Sequence, residues 1–170
     1  MESLTAPLVR ARDEGRDAFE HVVRLAAPSV VQFVAIEMAP EEVDDVVLDV
    51  FRRAWRRLPK YPADTDGRVW LFTIARRASR DAVRWRTRRN ILRHAIGNAR
   101  PRATTADPSP RLEIIDRIGC LARDRRQAFV LTELVGLTYR ESGQVCGVSA
   151  TTIRSRVAWA RSELIGLPMG

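Results

Sequence analysis

The chain has 170 residues, a formal net charge of +8 and a pI near 11.0, with 45% hydrophobic and 29% charged residues. That is enough apolar material for a packed core and is not the profile of a disordered chain. No apolar run approaches the roughly 20 residues of a membrane span, and the N-terminal stretch lacks the apolar centre of a signal peptide. A cytoplasmic protein without membrane insertion is therefore expected.

The N-terminal part reads as helices. Ala18, Phe19, Val22, Val23 and Ala26 fall at helical spacing, and Val30, Val31, Val34 and Ala35 continue the pattern. Pro28, between the two sets, is expected to interrupt or restart the helix. Pro40 suits a first helical turn, and Glu41 and Glu42 behind it favour a helix N-terminus. Val43, Val46, Val47, Val50, Phe51, Ala54 and Leu58 then line one face of an amphipathic helix. Pro59 and Pro62 break the pattern into a loop, and Arg68 to Ile96, free of Pro and Gly, reads as one long helix.

Asn98 to Pro110 holds three prolines and almost no large apolar residue, which predicts a flexible linker. The reading is all-α: two small helical domains over 1–97 and 111–170, joined by a linker over 98–110. Beyond the linker, Leu112, Ile115, Ile118 and Leu121 mark one helix, and Phe129, Val130, Leu134 and Val135 a second. Gly136 suits a C-cap, and Thr138 to Glu141 forms a capping box opening a third helix. Cys146 to Val148 reads as a tight turn, and Ser149 as the N-cap of a fourth helix from Ala150 to about Leu164.

That last pair of helices carries the strongest local signal, a helix-turn-helix. In this motif the second helix enters the DNA major groove, and its early residues meet base edges. Thr151, Thr152, Arg154, Ser155 and Arg156 stand at that end. Arg can donate two bonds to guanine, while Ser and Thr bond bases or phosphates. Ser142 and Gly143 weaken the motif slightly, because Gly costs about 1 kcal/mol inside a helix.

Charge is unevenly placed. Residues 1–59 sum to −3 and residues 60–97 to +7. Within the basic block, Arg76, Arg80 and Arg84 step by four along one side of the long helix, with Trp70 and Trp85 flanking the stretch. A cationic stripe of this density suits phosphate, and aromatics can stack on unpaired bases. Glu41, Glu42, Asp44, Asp45 and Asp49 would suit a basic protein surface or simply balance a helix dipole. One acidic block followed by a basic one implies two kinds of partner.

Enzyme readings find no support. His21 and His94 lack metal-ligand partners at helical or turn spacing, and there is no Gly-rich phosphate loop or Gly-x-Ser-x-Gly elbow. No cofactor or metal is implied. Cys120 and Cys146 are too few for a disulfide framework or a zinc site and are expected as two buried, reduced thiols.

Several segments, in order, resemble the extracytoplasmic-function sigma factors of bacteria. Asp45 to Trp55 resembles their core-polymerase-binding helix, and Trp70 to Arg76 the helix that engages the −10 promoter element. Gly136 to Glu141, Thr152 to Val157 and Ala160-Arg161 resemble the helix-turn-helix that reads the −35 element. The chain departs from the usual family pattern at Leu48, Arg77, Trp159, Ala122 and Ser142-Gly143.

The resemblance implies a non-enzymatic subunit that binds core RNA polymerase, directs it to a promoter and helps open the duplex. Asp45, Leu48, Asp49, Arg52 and Arg53 would face the polymerase. Lys60, Tyr61, Trp70, Arg76, Arg77, Arg80 and Arg84 would hold the −10 nontemplate strand, the loop from Pro59 to Asp66 receiving a flipped base. Thr151, Thr152, Arg154, Ser155, Arg156 and Arg161 would serve the −35 duplex. An anti-sigma factor is the further expected partner. Two other readings compete: a dimeric helix-turn-helix regulator acting on duplex operator DNA without polymerase, and an interaction protein whose arginine helix binds acidic proteins or RNA.

Overall fold

The computed structural model describes residues 3–95 and 117–166, with side chains to residue 89 in the first segment. All regular structure in them is helical. The expected linker and the helix start at Leu112 and Ile115 lie outside the described residues.

Helix α1 (Thr5–Glu14) is not foreseen in the sequence reading. Leu4, Leu8 and Ala11, spaced by four and three, are at most 1% exposed, so this short helix is held by burial of one stripe. The chain turns at Gly15 into α2 (Arg16–Ala35), whose Phe19, Val22, Ala26, Val30, Phe33 and Val34 are buried. Pro28 lies inside α2 and does not interrupt it, correcting the expected break. A proline in a helix forfeits one backbone bond and crowds the preceding turn. Here, apolar side chains buried on both sides of it hold the helix together.

Helix α3 (Pro40–Arg57) begins with Pro in the first turn followed by Glu41 and Glu42, and buries Val43, Val46, Val50, Phe51 and Ala54. A 3₁₀ turn over Leu58–Lys60 leads into the loop before α4 (Gly67–Ala95). Asp66 caps α4: its Oδ1 accepts from the backbone N–H of Arg68 at 2.8 Å and of Val69 at 3.2 Å. Gly67 marks a close approach of α1 to α4. A Cβ there would stand 2.6 Å from the Leu4 carbonyl carbon, and the Gly67 N–H donates to Thr5 Oγ1 at 3.0 Å. Phe33 of α2 meets Phe72 of α4 edge-on, 5.7 Å between centroids, at the centre of this half.

The described part of the C-terminal half begins with helical residues 117–120. Helix α5 (Arg123–Phe129) runs on through a π-helical turn over Val130–Leu134, where Val135 N–H reaches Val130 O at 3.0 Å. Helices α6 (Tyr139–Cys146) and α7 (Ala150–Gly166) follow. The expected capping box is present: Glu141 N–H donates to Thr138 Oγ1 at 3.2 Å, and Thr138 N–H donates to Glu141 Oε2 at 2.7 Å. Gly136 and Gly147 adopt positive φ of 76° and 71° where the sequence places turns. Ser149 caps α7 by accepting from Thr152 N–H at 3.1 Å.

The two halves touch. Helix α6 packs on α4, and the π-turn segment packs on α2. Ile118 and Leu134 line one groove together with Val31 and Ile36.

Candidate nucleic-acid interface

The helix-turn-helix owes its angle to a backbone contact. Gly143 is buried, and a Cβ on it would stand 2.7 Å from the carbonyl oxygen of Val148. Val148 N–H in turn donates to Gly143 O at 3.0 Å. The residue that costs helix propensity is thus the one that lets the turn close onto α6. Across the turn, Ile153, Val157 and Ala160 of α7 are at most 1% exposed and seat the helix.

The opposite face of α7 is open. Thr151, Arg154 and Ser155 are exposed, and none is engaged in an ion pair or side-chain hydrogen bond among the described residues. Thr152 shares a 2.9 Å hydroxyl contact with Ser149. Arg156 pairs with Asp124 at 2.8 Å, and Arg161 holds both carboxylate oxygens of Glu133 at 2.9 Å. That pairing raises the Arg161 pKa above its ordinary value, first through the hydrogen bond. Trp159, 61% exposed, carries the Arg125 guanidinium 5.4 Å from its ring centroid, and Arg125 also pairs with Glu163.

The arginines of α4 divide between two surroundings. Arg77 and Arg84 are exposed, whereas Arg76 and Arg80 are half-buried. Arg76 donates from Nε to Gln127 Oε1 of α5 at 3.0 Å, and burial lowers its pKa. The single sequence face through Arg76, Arg80 and Arg84 therefore meets the C-terminal half at its first two members. Trp85 is 73% exposed, while Trp70 is half-buried and packs edge-on against Tyr61 at 5.0 Å.

Tyr61 needs correction as a surface contact. It is 2% exposed, and its hydroxyl donates to Thr65 O at 2.6 Å. Burial is the main cause of its raised pKa. It shapes the loop, and Lys60 and Pro62 to Asp64 form the exposed rim. The expectation of two buried thiols holds for Cys146 alone; Cys120 is exposed, because it falls off the apolar face that Ile118 and Leu121 bury.

On α3 the outward face carries Asp44, Asp45, Leu48 and Arg52, all exposed, with Leu48 at 52% and Trp55 at 41%. Two further acids, Glu42 and Asp49, are half-buried and paired within the protein. Glu42 pairs with Arg86 of α4 at 3.1 Å. Arg53 bridges Asp49 at 2.8 Å and Asp81 of α4 at 2.6 Å, and the Asp81 bond is the largest cause of its raised pKa. Part of the acidic block is therefore glue between α3 and α4.

The contacts that join the halves, made by Glu37, Arg68, Arg123, Arg126, Gln127 and Glu141, do not follow from the sequence pattern. One signal was available. Glu37 is the lone charge between Arg24 and Glu41, in an otherwise apolar stretch. No group of three or more potential metal ligands occurs among the described residues.

An all-α chain with a helix-turn-helix and a separate arginine-rich helix defines a two-domain DNA-binding protein. The sigma-70 region 2 family model matches residues 27–89, and the sigma-70 region 4 family model matches residues 111–164. The ECF RNA polymerase sigma factor SigC of Mycobacterium tuberculosis is 35% identical over 171 residues, covering 96% of this chain and 90% of that one. The sigma factor CnrH of Cupriavidus metallidurans is 31% identical over 172 residues, covering 93% and 90%. CnrH solved in complex with the cytosolic domain of CnrY has a TM-score of 0.74 at 26% identity, covering 95% of this chain and 94% of that chain. The sigma factor RpoE of Bartonella quintana, solved with the anti-sigma factor NepR, shares the fold with a TM-score of 0.73 at 23% identity, covering 88% and 95%.

The chain belongs to the extracytoplasmic-function family of sigma factors, the non-catalytic subunits that bind core RNA polymerase and direct promoter recognition. That membership displaces the reading as a dimeric operator-binding regulator.

Proposed function

We propose that this sigma factor works in the cytoplasm with three separate surfaces. The outward face of α3, through Asp45, Leu48 and Arg52, docks on core polymerase, with Asp49 and Arg53 holding that helix in place. Lys60 and the exposed rim of the following loop, with Arg77 and Arg84 and then Arg76 and Arg80, take the −10 nontemplate strand. The N-terminal face of α7, led by Thr151, Arg154 and Ser155, reads the −35 duplex; Arg156 and Arg161 contribute to phosphate contacts. The domain limits follow as 1–97 and 111–170. CnrH and RpoE were solved bound to CnrY and NepR, which supports an anti-sigma partner here as well.

The observation that carries this reading is Leu48, a large apolar side chain 52% exposed amid acids on a helix whose other face is core. An apolar centre with a charged rim is the anatomy of a protein interface.

The test is co-elution with bacterial core RNA polymerase at near-physiological salt. Asp45→Arg with Leu48→Asp should abolish co-elution while leaving thermal unfolding unchanged. Asp49 is left out because its bond to Arg53 is structural. Arg154→Ala should keep co-elution and weaken −35 DNA binding by about 1–3 kcal/mol, dependent on the base at one position. Undiminished co-elution of the α3 variant would remove α3 as the docking surface.

A further inference from the structure

A groove of about 710 Å³ runs along α2 where it meets the C-terminal half. That is the size of a small-ligand pocket. Its walls carry two large apolar side chains left in water, Val31 of α2 at 39% and Leu134 of the π-turn segment at 37% exposure. Ile36 and Ile118, both buried, add to the apolar lining. No acid lines the groove among the described residues, and Glu37, next to Ile36 in the chain, is taken up by Arg123 and Arg126.

Each wall holds an irregular helix. The spacing of Val130, Leu131, Leu134 and Val135 suits one buried α-helical face. Val130, Leu131 and Val135 are at most 2% exposed, but the π-turn swings Leu134 out of that face and into the groove. Single π-turns inside helices occur frequently at functional sites. On the α2 wall stands Pro28, which has no N–H to give the carbonyl of Arg24 four residues before it. That carbonyl is an acceptor without its helical donor. The Arg24 side chain also lines the groove, is exposed, and has no ion pair or side-chain hydrogen bond among the described residues. From Arg24 to Ala35 the α2 wall runs roughly 16 Å, polar at its first end and apolar beyond.

We propose that this groove is a binding site for a medium-chain hydroxy acid. The carboxylate pairs with the Arg24 guanidinium, the hydroxyl donates to the Arg24 carbonyl, and the alkyl tail lies between Val31 and Leu134. A neutral amphiphile would leave the guanidinium unused, and a short polar anion would leave both apolar walls wet. The walls come from both halves, so a bound molecule ties α2 to the π-turn segment and stabilises the folded chain by mass action. The groove shares no residue with the surfaces assigned above to polymerase and promoter.

The experiment is isothermal titration calorimetry of the full chain with β-hydroxydecanoate below its micellar concentration, with thermal unfolding as a second readout. One molecule should bind per chain with a negative heat-capacity change, and the thermal midpoint should rise. Decanoate, which lacks the hydroxyl, should bind roughly three- to tenfold more weakly, and Arg24→Gln should weaken β-hydroxydecanoate binding roughly tenfold. Leu134→Gln should also weaken it roughly tenfold, with the circular dichroism of the free chain unchanged because the position is exposed. Arg57→Gln removes the same charge outside the groove and should leave binding unchanged. Absence of saturable binding would overturn the proposal. Equal losses in Arg24→Gln and Arg57→Gln would mean general attraction to a basic chain and would remove Arg24 as the head-group site. Undiminished binding to Leu134→Gln would put the ligand outside the groove. Decanoate binding as tightly as the hydroxy acid would overturn the contact with the Arg24 carbonyl.

Discussion

At Gly143 two physical terms oppose each other. Replacing Gly by Ala inside a helix ordinarily gains about 1 kcal/mol. Here the new methyl would meet the Val148 carbonyl at 2.7 Å, and backbone cannot rotate away as a side chain can. The steric term is larger, so Gly143→Ala should destabilise the C-terminal half by about 1–3 kcal/mol. Urea unfolding of the full chain measures this, and a higher midpoint in the variant would show that the turn has room. Tyr61 and Pro28 are comparable cases. Tyr61 is expected at the −10 strand and Pro28 as a helix break, and in each case burial sets the outcome.

Among the elements, α6 is short and depends on its cap. Burial pushes the Glu141 carboxyl up. The hydrogen bonds from Thr138 and the nearby Arg68 overcome that, so its pKa lies below the ordinary glutamate value. A depressed folded-state pKa stabilises the fold above the unfolded-state value, and this stability is lost as pH falls through the folded one. Glu141→Gln keeps an accepting oxygen for the capping box but loses the charge beside Arg68, so it should cost about 0.5–1.5 kcal/mol at pH 7 and progressively less as pH falls below the ordinary glutamate value. Urea titrations at a series of pH values check it; an equal loss at every pH would locate the effect in packing. Helix α7 shows how much of an element its own pattern reveals. The stripe of Ile153, Val157 and Ala160 and the open face at Thr151, Arg154 and Ser155 follow from helical periodicity. That Arg156 and Arg161 are already paired does not, because Asp124 and Glu133 come from elsewhere in the chain.

For the whole molecule, α1 is a structural strut. Leu4 and Leu8 are fully buried, and Gly67 admits them against the start of α4. Leu8→Ala should cost about 2–5 kcal/mol, read as a lower thermal midpoint with secondary structure intact below the transition. A shift within error would mean that α1 contributes no core. Short-range physics controls what is readable from the chain alone: the helices from α2 onward, the capping box at Thr138, the turn at Gly147 and the order of acidic and basic blocks. These depend on periodicity and on contacts a few residues apart. The family resemblance was legible for the same reason, because its motifs are local. Helix packing is what turns Arg76 to Gln127 while Arg84 faces solvent, lets Arg53 bridge two helices, and seats Glu37 between two arginines from the other half. Glu37 and Arg126 are 89 residues apart. No spacing rule reaches that far, since such pairs are fixed by how the helices pack.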